Sequence, residues 1–184
     1  MLFSEYVEEL RKIYKAYGVS WGVAPGCVES SLKEAETLVG FPLERGLRDA
    51  WLIADGSEHQ VRMFSRPGYL TGYDFLSLAS ALKERDSMRS VAPQYEGYVE
   101  ERPRDQRIRP GWFHDGWLPF AGFGGGILLL IQDYSPTEEG NIGQIIAFTH
   151  DPDEISYVAP DFQTFLHHSL SSIKEDPEEF LEMF

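Results

Sequence analysis

Trp117-Leu118-Pro119-Phe120-Ala121, followed by Gly124-Gly125-Gly126, Ile127-Leu128-Leu129-Leu130-Ile131-Gln132-Asp133 and Gly143-Gln144-Ile145-Ile146-Ala147-Phe148-Thr149, is the stretch that decides the fold. Each apolar run is strand-length and bounded by glycine, proline or aspartate, the punctuation of short strands. Three strands follow: Trp117 to Ala121, Gly126 to Gln132 and Gly143 to Thr149. The second is apolar at successive positions, which suits a central strand buried on both faces. The connection from Asp133 to Asn141 carries Pro136 and Gly140 and predicts an antiparallel hairpin with a long loop. Ser156 to Ala159 supplies a fourth strand, and Trp117, which opens an apolar strand, is expected in the core.

Outward from this sheet the periodicity changes to that of helices. Phe3, Tyr6, Val7, Leu10, Ile13, Tyr14 and Tyr17 recur at spacings of three and four, so Phe3 to Tyr17 reads as an amphipathic helix stopped by Gly18. A short extended piece is expected over Trp21 to Pro25. A second helix is expected from Val28 to Val39, with Val28, Leu32, Ala35, Leu38 and Val39 inward. A third spans Leu43 to Ala54 and stops at Asp55-Gly56-Ser57. A fourth starts near Tyr73 or Asp74 and runs to Met88 with Phe75, Leu78, Ala79 and Leu82 buried; between these two, Val61 to Phe64 offers a short strand. Val91 to Gly111, with Pro93, Pro103, Pro110 and the run Glu100-Glu101-Arg102-Pro103-Arg104-Asp105, reads as a long surface excursion. Loops this long are uncommon in compact domains and tend to be functional or mobile. A helix from Asp161 to Ser171 and a short acidic one from Pro177 to Phe184 close the chain. Helices, then a strand meander, then helices argue for an α+β class, a central and mostly antiparallel sheet packed with helices.

The order and spacing of Trp117 to Ala121, Gly124 to Gly126, Asp133, Pro136, Gly140, Gly143 to Ile146, Phe148-Thr149-His150-Asp151, Val158-Ala159 and Asp161 to Leu166 resemble the core signature of the SUKH superfamily. That class holds bacterial immunity proteins and fungal cell-wall-assembly regulators of the Smi/Knr type. Upstream, Val28-Glu29, Gly40-Phe41-Pro42-Leu43, Trp51 and Asp55-Gly56 extend the resemblance, which covers about Val28 to His168. The sequence departs from the pattern at Ile127, where asparagine is usual, and at Asp55, where the family reads Asn-Gly. The resemblance implies an α+β domain acting as a non-catalytic protein-binding module, many bacterial relatives being toxin neutralisers, and it carries no catalytic residues with it.

Composition sets the outer limits. At 184 residues one domain is the expectation. The formal charge of −14, from 30 acidic against 16 basic residues, repels nucleic-acid phosphates and attracts a basic protein, such as a basic toxin domain. Cys27 is the lone cysteine, so no internal disulfide or zinc–thiolate pair is available. The N-terminus lacks a secretory pattern, and the longest apolar run is far short of the ~20 residues of a membrane span, so a cytoplasmic protein is expected.

No side-chain pattern announces chemistry. The glycines at 122 to 126 lead into a strand, not a helix N-terminus, and suit a turn. His167 and His168 are adjacent on a helix and point about 100° apart, which prevents them from gripping one ion. No nucleophile motif is present and no cofactor or metal is expected. Two sets of residues stay in view. The loop carboxylates Asp55, Glu58, Asp115, Asp133, Glu138 and Glu139 would form an anionic face if they converge. The rival is an enzyme of unknown reaction built on His150, Asp151 and Asp133, which requires those three to meet in a pocket.

Overall fold

The computed structural model describes residues 1–58, 61–69, 71–100 and 102–182. Glu101 of the charged run, His59, Gln60 and Leu70 of the segment before the fourth helix, and the last two residues of the expected terminal helix lie outside the described residues.

α1 (Phe3–Ala16) forms where the periodicity places it, burying Phe3, Tyr6, Val7, Leu10 and Tyr14 and ending before Gly18 at φ 68°. Tyr17 does not join that stripe: it lies past the last turn and is exposed. β1 (Val23–Pro25) is the expected extended piece. α2 (Glu29–Val39) buries only Leu32, Ala35 and Val39, whereas Val28 and Leu38 face solvent. Val28 is outside the helix, and Leu38 lies one residue off the buried row, about 100° round the axis.

α3 (Arg45–Ile53) starts on Glu44, whose carboxylate accepts the Gly46 and Leu47 N–H groups. The chain then turns directly into β2 (Ala54–Ser57), which pairs antiparallel with β1. Asp55-Gly56-Ser57 is therefore strand, not only a stop. β3 (Phe64–Ser65) and β4 (Gly72–Phe75) follow, so the expected helix start at Tyr73 or Asp74 is corrected to a strand, and α4 spans Leu78–Val91. Ser77 caps α4 through Ser80 N–H, and Asp55 accepts the Leu78 N–H at 2.7 Å. With the helix begun later, its buried row is Leu78, Ala81, Arg85 and Met88; Ala79 is exposed.

β5 (Trp117–Phe123), β6 (Leu128–Asp133), β7 (Gln144–Thr149) and β8 (Glu154–Ala159) are the four strands expected from the sequence, each extended by a residue or more or shifted at one end. They continue β3 and β4 into a six-stranded antiparallel sheet in chain order, with the register Trp117↔Asp133 and Leu128↔Thr149 on either side of β6. The sheet curls so that its two edges approach: Arg66, just after β3, donates to Ser156 Oγ on β8 at 2.8 Å. α5 (Phe162–Glu175), capped by Asp161, lies over this seam. Its Ser169 Oγ takes the Ser65 N–H and meets the Tyr6 hydroxyl. α6 (Pro177–Glu182) ends the described chain.

Alternation along the strands divides the core in two. Leu118, Phe120, Leu130, Ile145 and Ala147 pack under α1, α3 and α5. Trp117, Leu129, Ile131, Ile146, Phe148 and Ile155 form the other face, closed by Met88 of α4 with Ile108 and Trp112. The stretch expected as a surface excursion is thus the lid on the second face of the sheet. It begins with a single 3-10 turn, Ala92–Tyr95, and Tyr95 stacks on Trp112 at 4.3 Å. No helix among the described residues is long and apolar enough to cross a membrane.

Candidate binding cleft

Where this second cover meets the edge strand β8, a cleft of about 480 Å³ opens. One wall is Glu100, residues 102–105 and Arg107; the other is Pro152 to Tyr157. The wall is built by an ion pair and a set of carbonyl contacts. Arg104 grips Glu100 with two parallel hydrogen bonds of 2.8 and 2.9 Å and also donates to the carbonyls of Arg109 and Gly111. Both side chains are nearly buried, at 9% and 11% exposure. The fork geometry of guanidinium and carboxylate makes this the strong form of an ion pair.

Arg107 pairs with Asp105 at 2.6 and 2.8 Å, and its guanidinium lies 3.3 Å from the centroid of the Tyr157 ring. The hydrogen bonds from Arg107 hold the Asp105 carboxyl below the ordinary aspartate value, while burial pushes the Tyr157 phenol up. At the mouth, Asp153 receives the Trp112 indole N–H at 2.7 Å and faces His150 Nδ1 at 2.6 Å. The Tyr98 hydroxyl donates to the Asp153 carbonyl. Glu100 makes one further contact: it accepts the backbone N–H of Ile155 on β8 at 3.1 Å.

Residues 26–168 match the model of the SMI1/KNR4 family (SUKH-1). The chain belongs to this family. No curated protein matches it. The SUKH-1 match takes in β2 to β8, both faces of the large sheet and the cleft, and begins after α1.

The carboxylates singled out from the sequence occupy three places in this SUKH-1 fold. Asp115, Glu138 and Glu139 are exposed at the end of the sheet where β5 begins and the β6–β7 hairpin turns; Gly116 C=O accepts Tyr134 N–H there. Asp115 is bound by Arg89 on the last turn of α4. Asp55 is engaged at the first turn of the same helix, about three turns away, and Glu58 follows it beyond β2. The set does not close into one face.

Asp133 is corrected outright as a contact residue, because it is 0% exposed. Its Oδ1 accepts Ser135 N–H and its Oδ2 accepts Gln144 Nε2, so it stitches the hairpin loop to the sheet. The enzyme alternative falls with it. Asp133 pairs with Gln144 at one end of β7 and His150 follows the other end, six residues or about 20 Å along an extended strand. His150, Asp151 and Asp133 do not meet.

Asp133 supports a separate prediction. Gln144 cannot turn its amide to suit an asparagine there, because its Oε1 accepts Asn141 N–H and its Nε2 also donates to Arg107 C=O. Asp133→Asn therefore sets donor against donor and is expected to cost about 1–3 kcal/mol at neutral pH. Burial holds the Asp133 carboxyl above the ordinary 3.8. A native value above the unfolded one means that the native state takes up the proton first. The aspartate's contribution thus falls as pH rises through that interval and is level above it. Denaturant melts of both proteins across pH should show a cost of the asparagine that is larger in acid than at neutrality; a cost that grows with pH would contradict the assignment.

None of the contact residues expected from the sequence lines the cleft, and Glu100, Arg102, Arg104, Arg107 and Tyr157, which do, were not among them. Glu100, Arg102 and Arg104 lie in the charged run of the long connection, which is the sequence signal for them; Arg107 and Tyr157 carry none.

Proposed function

We propose that this SUKH-1 protein is a non-catalytic binding module that engages and occludes a basic protein partner, such as a toxin domain, in the cytoplasm. Family membership supports a regulatory or immunity-type role in general. The observation that carries the finer reading is the charge distribution. With 30 acidic and 16 basic residues, carboxylates are in excess, and the exposed Glu58, Glu138 and Glu139 enter no ion pair among the described residues. A field of this sign accelerates encounter with a basic partner and is screened by salt within about 10 Å at 0.1 M.

The test is affinity capture from the source organism followed by stopped-flow association of the purified partner. Its association rate is expected to fall about tenfold or more as ionic strength rises from roughly 0.02 to 0.3 M. A rate indifferent to salt, or a captured partner that is itself acidic, would defeat the proposal.

A further inference from the structure

We infer that the free edge of β8 inside the cleft accepts an extended, predominantly basic segment of the protein partner as an added strand. This rests on the basic-partner reading above and gives it a location. β8 is the last strand of the sheet and, among the described residues, pairs with β7 alone; the nearby β3 edge reaches it through the Arg66–Ser156 side-chain bond and not through a backbone ladder. In an antiparallel ladder alternate residues turn their N–H and C=O groups toward the neighbour or away from it. Ile155 N–H goes to Glu100, so Phe148↔Ile155 is a pair that exchanges no backbone bonds. The register runs unbroken from Ile155 to Tyr157, and the irregularity comes only beyond Tyr157, before Ala159. Tyr157 therefore also presents its N–H and C=O outward, into the cleft that Ile155, Ser156 and Tyr157 line. The Glu100 carboxylate stands where a further strand would place a carbonyl oxygen. One position of the missing strand is filled by a side chain and the next is open.

The −14 charge of the chain favours a basic occupant, and Glu154 gives it a local contact in the cleft. Glu100, Asp105, Asp153 and Glu154 line the cleft against Arg102, Arg104 and Arg107, four negative groups to three positive. Glu100, Asp105 and Asp153 are engaged by Arg104, Arg107 and His150, which leaves Glu154 as the carboxylate beside the edge with no ion pair among the described residues. Arg102, on the opposite wall, has no carboxylate partner among the described residues and suits a carbonyl or terminal carboxylate at one end of the segment. A second copy of this chain is disfavoured, because each copy carries −14. Added strands bind through main-chain hydrogen bonds, with alternate side chains giving selectivity. The Arg107–Tyr157 stack supplies a flat wall for one such side chain.

The probe is a short synthetic peptide of alternating lysine and valine, titrated into the isotope-labelled full chain and followed by NMR. Its comparison peptides carry glutamate for lysine or N-methyl groups on alternate amides. The amides of Ile155 to Val158 are expected to shift, with affinity about tenfold weaker after N-methylation, after the change to glutamate, and in a Glu154→Lys variant. Tyr157→Pro, a change that an edge strand tolerates, is expected to abolish binding without unfolding the protein. Salt-sensitive binding that ignores N-methylation and leaves residues 155–158 unshifted overturns the edge assignment while the basic-partner reading stands. No binding of any basic probe overturns both. Self-association through residues 155–158, seen by analytical ultracentrifugation and lost in Tyr157→Pro, overturns the choice of occupant.

Discussion

Arg104→Ala is expected to release the segment around residues 98–112 from the sheet while the helical side stays folded. The guanidinium holds four acceptor atoms: both carboxylate oxygens of Glu100 and the carbonyls of Arg109 and Gly111. Its loss leaves Glu100 charged and nearly buried with no counterion. Removing one member of a buried pair costs about 3–5 kcal/mol, because the remaining charge is uncompensated. The cost falls on the satellite core formed by Ile108, Trp112 and Tyr95 over the sheet, and limited proteolysis should cut that segment first. The double change Glu100→Gln with Arg104→Met removes both charges and should recover much of the loss. Equal cutting of the wild type and Arg104→Ala, with no change in melting, would show that the pair does not hold the cover down.

Phe64→Ala should be the most damaging single truncation on the other face. Phe64 is fully buried, and its ring centroid lies 5.6 to 6.4 Å from those of Phe3, Tyr6, Phe75, Phe120, Phe162 and Phe165. These rings come from α1, β4, β5 and α5, so one side chain joins four elements. Truncating a buried phenylalanine costs about 3–5 kcal/mol, a large share of the 5–15 kcal/mol that ordinarily keeps a domain folded. A fall in melting temperature of roughly 10 °C is expected by calorimetry. Phe64→Leu, which keeps most of the volume, should cost less than half as much. A drop below about 1 kcal/mol for the alanine variant would mean that the aromatic cluster is not the centre of this core.

The four-strand meander was legible because its strands combine apolar runs with glycine and proline stops, and α1 because apolar residues recur every three or four positions, five of them buried on one face. β2 and β4 were not. Ala54-Asp55-Gly56-Ser57 and Gly72-Tyr73-Asp74-Phe75 carry turn residues and are four residues each. Their strand state comes from pairing with β1 and with β5, partners distant in the chain that local propensity does not encode. The helix expected at Tyr73 failed for the same reason: Phe75 is buried as a strand residue against Ala121, not as the first turn of α4.

The second cover was half-visible. Leu128 to Ile131, apolar on both faces, required something on each side of the sheet, but Tyr95, Tyr98, Ile108 and Trp112 follow neither a helical nor a strand period, so nothing local named them as that layer. The cleft inherits this difficulty. Glu100 and Arg104 belong to a charged run that reads as surface, and only the docking of their segment against β8 buries them. Asp133 shows the reverse error. A carboxylate at a strand end beside a loop looks exposed, yet its hydrogen bonds to Ser135 and Gln144 draw it to 0% exposure.

Amide hydrogen exchange on the free wild-type protein is the most direct test that residues 92–100 and 102–112 form an ordered layer closing the sheet and framing the β8 cleft. Protection is predicted for the Ile108 amide, which donates to the Asp105 carbonyl, and for the Ile155 amide held by Glu100, with both lost together in Arg104→Ala. Exchange at the rate of an unstructured loop throughout 98–112, with Ile155 equally unprotected, would contradict it.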